Sequence, residues 1–306
     1  MVSAASEVSS ASDFEKTAVR VSGVSIAGNL VLSVFKLFAG IFAHSGAMVS
    51  DAVHSASDVV SSLIVIVGVK LAARAPDREH PYGHERFECV AAIVLAVLLL
   101  VSGLFIGHTG IEKIMSGEAE AMEAPGVLAL VAAAVSILVK EGMFWYTRHY
   151  ARKYSSGALM ADAWHHRSDA LSSIGALIGI AGAMCGYPIA DTVASLLICV
   201  FIAKAAYDIF RDAVGRMVDR ACSAETEQAI RALAASVPGV VHVDLLQTRM
   251  FGSRIYVDIE ISADGNLTLN EGHAIARQVH ESVENRFPEV KHIMVHVNPD
   301  QEEDHE

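Results

Sequence analysis

The stretch LMADAWHHRSDALSSIGALIGIAGAM, residues 159–184, decides how this chain is interpreted. It opens with two histidines, an arginine and two aspartates, and then becomes almost wholly apolar. About 20 apolar residues in a row are enough for a helix to cross a bilayer. Ionisable groups within such a helix are costly in lipid, so they are normally buried in a helix bundle, paired and functional. The stretch therefore predicts a transmembrane helix that carries a polar site.

The rest of the chain divides into a strongly apolar part and a part of ordinary soluble composition. Of its 306 residues, 53% are hydrophobic and 19% are charged, which is far from the average soluble protein. Windows of low charge predict six transmembrane helices, at residues 21–42, 47–72, 89–109, 126–146, 159–182 and 188–209. The expected domains are a cytoplasmic N-terminal segment (1–20), a six-helix transmembrane bundle (21–210), a cytoplasmic α+β domain (211–299) and an acidic tail (300–306).

Basic residues cluster in two of the connections between these helices. They are Lys70, Arg74, Arg78 and Arg86 after the second helix, and Arg148, Arg152 and Lys153 after the fourth. By the positive-inside rule both connections and both chain ends face the cytoplasm, as in a multi-pass protein of the bacterial inner membrane. The residues before Phe14 lack the cationic segment and cleavage site of a signal peptide, so we expect the first helix to remain in the mature protein.

Net charge and cysteine usage exclude some partners and sites. The formal net charge of -12 argues against nucleic acid as a partner. The four cysteines are scattered and form no CxxC pair, so they indicate neither a disulfide framework nor a thiolate metal site.

The polar start of the fifth helix has a second copy in the second helix. Residues 51–62, DAVHSASDVVSS, and residues 162–173, DAWHHRSDALSS, share the pattern D-A-x-H-x-x-S-D-x-x-S-S. In each copy a histidine and an aspartate stand four residues apart and so lie on one helix face. Two such helices side by side would bring four ligands together.

The four ligands of this predicted site are His54, Asp58, His165 and Asp169. Two imidazole nitrogens and two carboxylate oxygens suit a tetrahedral ion of borderline softness, with Zn²⁺ as the first choice. The alternative is that each His–Asp pair only holds helices together through hydrogen bonds. The occurrence of two matching copies favours the metal site, because ionisable groups within a membrane are costly.

The remaining polar residues of the motif are expected to have roles other than metal binding. Asp51 and Asp162 are expected near a helix end, where they would cap the helix or accept hydrogen bonds. His166 and Arg167 are expected on other faces of the fifth helix, directed toward the bundle or the interface.

A second cluster lies between the second and third helices, in the sequence DREHPYGH. Asp77, His80 and His84 stand beside Pro and Gly, which favour a turn that gathers them. Three ligands and a water would hold a metal weakly or transiently. The alternative is a solvated loop whose histidines bind nothing.

The soluble part predicts a small α+β domain with one sheet and two helices. Its elements are a helix at 224–237, strands at 241–249 and 254–262, a helix at 270–287 and a strand at 292–298, with FGSR as the turn between the first two strands. The domain contains carboxylates and histidines enough for a metal site. Most surface histidines bind no metal, however. Taken one at a time, these histidines and carboxylates are therefore expected to be ordinary surface residues and not metal ligands.

Together these motifs resemble the cation diffusion facilitators, which are proton-coupled exporters of divalent transition metals. The resemblance covers nearly the whole chain: six helices, the paired motifs, the DREHPYGH loop and an αββαβ tail of metallochaperone-like fold. The paired motifs are its most specific part.

The resemblance implies four groups of functional residues. The transport site would be His54, Asp58, His165 and Asp169, and the loop site Asp77, His80 and His84. The cytoplasmic site, which links the protomers of a homodimer, would be Asp244, Glu260, His273 and His296. Carboxylates stand there where other members carry histidines. The family's charge pair between membrane and cytoplasmic parts would be Arg86 with Asp219.

Two features bear on the choice of metal. A histidine in both transport motifs is similar to the zinc-type members, and imidazole disfavours Mn²⁺ and Mg²⁺ relative to an all-carboxylate site. Residues 139–173 are also similar to the branch with iron-handling and magnetosome-associated members. Zn²⁺ is the expected substrate and also a candidate regulatory ion, and Fe²⁺, Cd²⁺ and Co²⁺ stay open.

We therefore expect a homodimeric exporter of divalent cations that works by proton antiport with alternating access. One rival is a membrane metalloenzyme, but a catalytic zinc keeps one coordination position open, whereas two His and two Asp close the tetrahedron. The other rival is a membrane-anchored metal sensor or scaffold, which would show no ion flux and would leave the duplicated motif unexplained.

Overall fold

The computed structural model describes residues 2–42, 52, 55–56, 58–116, 127–184 and 189–300. The chain forms two compact units, Met1–Val214 and Gly215–Glu306. The division falls four residues beyond the boundary expected after residue 210 (214 − 210).

Six helices are described up to the end of the predicted membrane part. They are α1 (Val2–Phe42), α2 (Val59–Ala72), α3 (Arg86–Ser116), α4 (Val127–Lys153), α5 (Gly157–Met184) and α6 (Ile189–Met217). The six predicted spans each correspond to one of these helices. The second was expected to begin at residue 47, whereas α2 begins at Val59, and most of residues 43–57 lie outside the described ranges.

The packing of these helices brings the two motif copies together. Helix α5 packs along α4 and also contacts α3, while α2 contacts α1, α3 and α5. The core between them is formed by aliphatic side chains such as Val65, Leu99, Leu159 and Ile202. Helices α2 and α5 carry the two copies, so their contact is what allows one shared polar site.

The outer surface of the first unit is apolar as well. Large side chains such as Phe38, Phe105 and Phe201 are exposed, each more than half accessible. Soluble proteins rarely expose contiguous apolar patches of large area, but a bilayer solvates them well. By length and composition, two of the helices searched among the described residues could cross a membrane, Asp13–Ala39 and Arg86–His108.

The second unit has the predicted αββαβ order. Its elements are α7 (Ala224–Ala235), β1 (His242–Phe251), β2 (Arg254–Asp264), α8 (Leu269–Arg286) and β3 (Val290–Asp300). The sheet has the order β1-β2-β3, in which β1 and β2 are antiparallel and β2 and β3 are parallel. All five predicted elements are confirmed, each end within two residues.

Local sequence signals explain these boundaries. Ser223 caps α7 by accepting a hydrogen bond from the Thr226 amide, and Thr268 with Glu271 forms a capping box at the start of α8. Gly252 supplies the positive φ of 64° that the turn between β1 and β2 requires. The apolar faces of the two helices and the sheet bury Val257, Ile261 and Val283 among others.

The contact between α2 and α3 depends on a glycine. A Cβ atom at Gly68 would lie 2.4 Å from the Cβ of Ala91 on α3, so the two backbones approach too closely for any side chain. Gly142 on α4 is the matched case: a Cβ there meets nothing within 4 Å among the described residues.

We predict that Gly68→Ala lowers the free energy of unfolding by about 1–3 kcal/mol, because α2 and α3 must move apart. Gly142→Ala should leave stability unchanged or raise it by up to about 1 kcal/mol, through the better helix propensity of alanine. Thermal unfolding of both variants in the same detergent, followed by circular dichroism, measures the difference. Equal effects of the two substitutions would contradict the close packing of α2 on α3.

Candidate metal centre

Three of the four predicted transport-site residues converge where α2 meets α5. Asp58 is the N-cap residue of α2, and His165 and Asp169 stand one turn apart on α5. Each of the three offers a ligand atom, and these atoms all lie within 4.8 Å of one another. His165 Nε2 is 3.4 Å from Asp58 Oδ1. The fourth residue, His54, lies outside the described residues, and the role of all four as metal ligands stays a prediction.

The cluster is largely withdrawn from solvent. The Asp58 side chain is 2% exposed, and those of His165 and Asp169 are 13% and 12% exposed. Ionised groups at such depth require a partner, because desolvation of a lone charge is expensive. The geometry could hold a cation between two carboxylates and an imidazole.

Lys140 on α4 enters the same cluster, and the sequence reasoning missed it. Its Nζ atom lies 2.6 Å from Asp58 Oδ2 and 2.7 Å from Asp169 Oδ2, and its side chain is 2% exposed. The signal was present in the sequence, since Lys140 is an ionisable residue inside the fourth predicted span. The rule that singled out the aspartates, that such residues are costly in lipid, applies to it equally.

A second ion pair joins α4 to α5 beside the cluster. Arg167 Nε lies 3.4 Å from Glu141 Oε1, and the Arg167 guanidinium stands 4.4 Å from the centre of the Phe144 ring. Arg167 therefore faces α4, which agrees with its expected position away from the predicted ligands. The pair and the cation–π contact both connect α5 to α4.

Asp162 is the centre of a neighbouring buried network. Its carboxylate accepts hydrogen bonds from the hydroxyls of Ser61 (3.2 Å) and Ser62 (3.3 Å) on α2. His166 Nε2 lies 3.6 Å from the same carboxylate and 3.1 Å from the Ser25 hydroxyl on α1. Asp162 and His166 are fully buried. The expected hydrogen-bonding role of Asp162 is confirmed, but capping is wrong, because Asp162 lies inside α5, which begins at Gly157.

The predicted loop residues Asp77, His80 and His84 also lie together, with ligand atoms within 4.8 Å of one another. His80 Nδ1 and His84 Nε2 are each 3.5 Å from an Asp77 oxygen. The tight turn that gathers them includes Gly83 at a φ of 100°. The backbone amides of Glu79 and His80 donate to Asp77 Oδ1.

The Asp77 carboxylate is ready as a ligand over a wide pH range. The hydrogen bond from the His80 amide is the main cause that holds the pKa of Asp77 below its usual value of 3.8. A lowered carboxyl pKa means that these interactions are present above about pH 4 and are lost only as the pH falls further. Between pH 5 and pH 8 Asp77 therefore remains ionised.

The four predicted residues of the cytoplasmic site are not gathered in one chain. Glu260 on β2 pairs with His296 on β3 in the parallel ladder, and Asp244 lies at an irregularity of β1. His273 lies on α8 and is exposed. In the described part of this domain no three potential ligands lie within 4.8 Å of one another. The predicted site links two protomers, so the spread of its ligands over the sheet and a helix of one chain does not test it, and it stays a prediction.

Two neutral side chains donate hydrogen bonds to the Asp244 carboxylate. Ser262 Oγ donates to it at 2.7 Å, and Asn298 Nδ2 donates at 3.1 Å while also lying 3.5 Å from Glu260 Oε2. The Ser262 hydrogen bond is the main reason why the pKa of Asp244 is lowered. This sheet face therefore stays negatively charged at neutral pH.

The predicted charge pair of Arg86 and Asp219 joins residues of different units, and it stays a prediction. Asp219 has a local role of its own. It adopts a φ of 61° just after α6, and the next residue's amide, that of Arg220, donates to the Gly215 carbonyl. This pattern ends a helix by satisfying its last carbonyls.

These features define an α-helical membrane protein with a buried cluster of metal-type ligands and a small α+β domain. The sequence matches the cation efflux transmembrane domain over residues 22–218 and the cytoplasmic domain of cation efflux proteins over residues 222–300. The chain belongs to the cation efflux family, the cation diffusion facilitators, and this confirms the family that the motifs indicate. As a member, it is a membrane-embedded divalent metal cation efflux transporter.

Several relatives are similar over nearly their full length. An uncharacterized transporter of Methanocaldococcus jannaschii is 35% identical over 90% of this chain and 96% of its own. The manganese efflux system protein MneP of Bacillus subtilis is 29% identical over 94% and 98%. The magnetosome protein MamB of Magnetospirillum gryphiswaldense is 28% identical over 89% and 90%.

We predict that Asp77→Asn weakens Zn²⁺ binding at the loop by at least about tenfold, because it removes the anionic ligand. Glu79→Gln is the matched control, since Glu79 contributes only its amide to this turn. Calorimetric titration of both variants is done in an Asp169→Asn background that disables the other cluster. The difference between the two isotherms isolates the loop, because any cytoplasmic site is common to both variants. Identical isotherms for the two variants would show that the loop holds no metal.

Proposed function

We propose that this chain exports Zn²⁺, or a similar divalent transition-metal ion, in exchange for protons. The observation that supports this most directly is the convergence of Asp58, His165 and Asp169, with ligand atoms within 4.8 Å of one another. The residues come from the two copies of one motif, on two helices that pack together. In the proposed site, His54 completes four-fold coordination.

The donor set supports a borderline-soft ion as substrate. Imidazole nitrogen binds zinc, iron, copper and nickel well, whereas Mg²⁺ and Mn²⁺ prefer oxygen. MneP, a similar protein, is named for manganese and MamB for the magnetosome. Mn²⁺ is therefore one competitor against which zinc preference is measured, and Fe²⁺ is the other, because imidazole also binds iron.

Proton coupling follows from the same donors. A metal ion binds imidazole in its neutral form and carboxylate in its ionised form, so loading the site requires the loss of any protons held there. Protons that enter from the outer side would displace the ion. With the site near the bilayer middle, alternating access to the two sides turns this exchange into export.

The cytoplasmic domain is proposed to act in a homodimer, with both chain ends in the cytoplasm of a bacterial cell. Asp244 and Glu260 make one face of its sheet acidic, and two such faces repel each other. Zn²⁺ shared between protomers, with His296 and His273 as further ligands, would offset that repulsion and stabilise the closed pair. Metal would then regulate the dimer as well as being its cargo.

We predict that Asp58→Asn or Asp169→Asn lowers Zn²⁺ flux by more than about 100-fold, beyond the 10–100-fold typical of losing an outer-shell partner. Asp208→Asn is the control, since Asp208 is an exposed carboxylate of α6 that pairs with Lys204. The measurement is Zn²⁺ flux in proteoliposomes under an imposed pH gradient. Parental flux in either site variant would refute the site, and a wild-type protein that binds metal but carries no flux would favour a sensor.

Replacement of His165 tests which metal ion the proposed site prefers. His165→Asp changes a nitrogen ligand to an oxygen ligand and adds negative charge, which hardens the donor set. We expect the flux of Mn²⁺ relative to Zn²⁺ to rise by about tenfold or more, which corresponds to roughly 1.4 kcal/mol of selectivity. The control is His149→Asp, because His149 is exposed on α4. The measurement is the competitive flux of Mn²⁺ and Zn²⁺ in proteoliposomes. An unchanged ratio of the two fluxes would mean that His165 is not a ligand.

A further inference from the structure

Lys140 is a cation built into the proposed transport site. Its ammonium group donates to one oxygen of Asp58 at 2.6 Å and one oxygen of Asp169 at 2.7 Å. Charge-assisted hydrogen bonds of this length are among the strong interactions of proteins. We propose that Lys140 competes with the transported metal for these two carboxylates, and balances one of their two negative charges while the transporter returns without metal. The inference rests on the proposed function of this cluster.

The competition follows from distance and charge. A zinc ion lies about 2.0–2.2 Å from a carboxylate oxygen, closer than any ammonium group approaches. Each oxygen has a second lone pair, but a metal on the oxygen that accepts from Lys140 would lie close to the ammonium, and the two positive charges would repel each other. An ion that used only the other oxygens, such as Asp58 Oδ1 beside His165, would still lie next to a positive charge in a medium of low dielectric constant. The flexible four-carbon stem of lysine allows the ammonium to withdraw as metal enters.

The burial of the two carboxylates gives Lys140 a second proposed role, in the metal-free transporter. Asp58 and Asp169 are largely buried, so without a cation their two negative charges would repel each other and be poorly solvated. A transporter that works by alternating access must pass between its two forms both with and without cargo. In the second case Lys140 stays paired with the two carboxylates, so the protons exchanged in the proposed function would be carried by the imidazoles of the site. Without Lys140, the return step would be slow while the metal-loaded step would remain available.

This distinction gives a direct test, because metal-for-metal exchange does not require the metal-free return and net export does. The variants are Lys140→Met and Lys140→Gln, which remove the charge, and Lys140→Arg, which keeps it. Lys204→Met is the matched control, since Lys204 is an exposed lysine of α6 paired with Asp208. All are full-length proteins in proteoliposomes, with Zn²⁺ as the probe, or with whichever of Fe²⁺ and Mn²⁺ the wild type carries.

We expect Lys140→Met and Lys140→Gln to bind metal about tenfold or more tightly, because the competent fraction of the site no longer depends on withdrawal of the lysine. Net flux should fall at least about tenfold, while isotope exchange with metal on both sides stays within about threefold of wild type. Metal should also raise the Tm of these variants more than that of the wild type, since tighter binding gives greater stabilisation. Lys140→Arg and Lys204→Met should resemble the wild type in the ratio of exchange to net flux.

Three results would overturn the proposal. Weaker metal binding in Lys140→Met would show that the lysine supports the metal, and an equal loss of exchange and net flux with unchanged affinity would show a structural role only. Tighter binding in Lys140→Arg as well would show that side-chain shape is responsible rather than charge. Failure of the proposed function is a separate result, in which the wild type carries none of the three metals and Asp169→Asn changes nothing.

Discussion

The rest of the membrane unit depends on the cost of placing charge inside a helix bundle. Asp58, Asp169 and Lys140 form one compact group in which each charge has an opposite partner within 2.7 Å. Removing Lys140 would leave two poorly solvated carboxylates, so the three helices that supply the group, α2, α4 and α5, must keep a fixed arrangement. The polar cluster of the predicted transport site is therefore also a constraint on helix packing.

The duplicated motif supplies both the charged group and part of the packing that holds it. Its histidine and aspartate positions supply the predicted ligands, while its paired serines in the first copy, Ser61 and Ser62, bind the Asp162 carboxylate of the second. The two copies thus bind each other through neutral hydroxyls and leave the ligand positions available for a cation. Small residues complete the arrangement, since Gly68 lets α2 approach α3 closely at Ala91.

The cytoplasmic unit follows different rules. Its fold is fixed by caps, turn residues and an apolar core, as in any small α+β domain, and its acidic sheet face carries hydrogen bonds from Ser262 and Asn298 rather than a cluster of metal ligands.

The sequence by itself determined the six helices, the αββαβ domain, the family and the residues of the two clusters, because each of these depends on local periodicity or on spacings of three or four residues. It did not reveal that Lys140 joins Asp58 and Asp169, since these partners are 82 and 29 residues away along the chain. Nor did it show that Asp162 binds serines about 100 residues distant, or that His273 lies apart from the other cytoplasmic residues. Only tertiary structure decides such contacts, because the rotation of each helix about its axis is set by packing against its neighbours and not by its own sequence pattern.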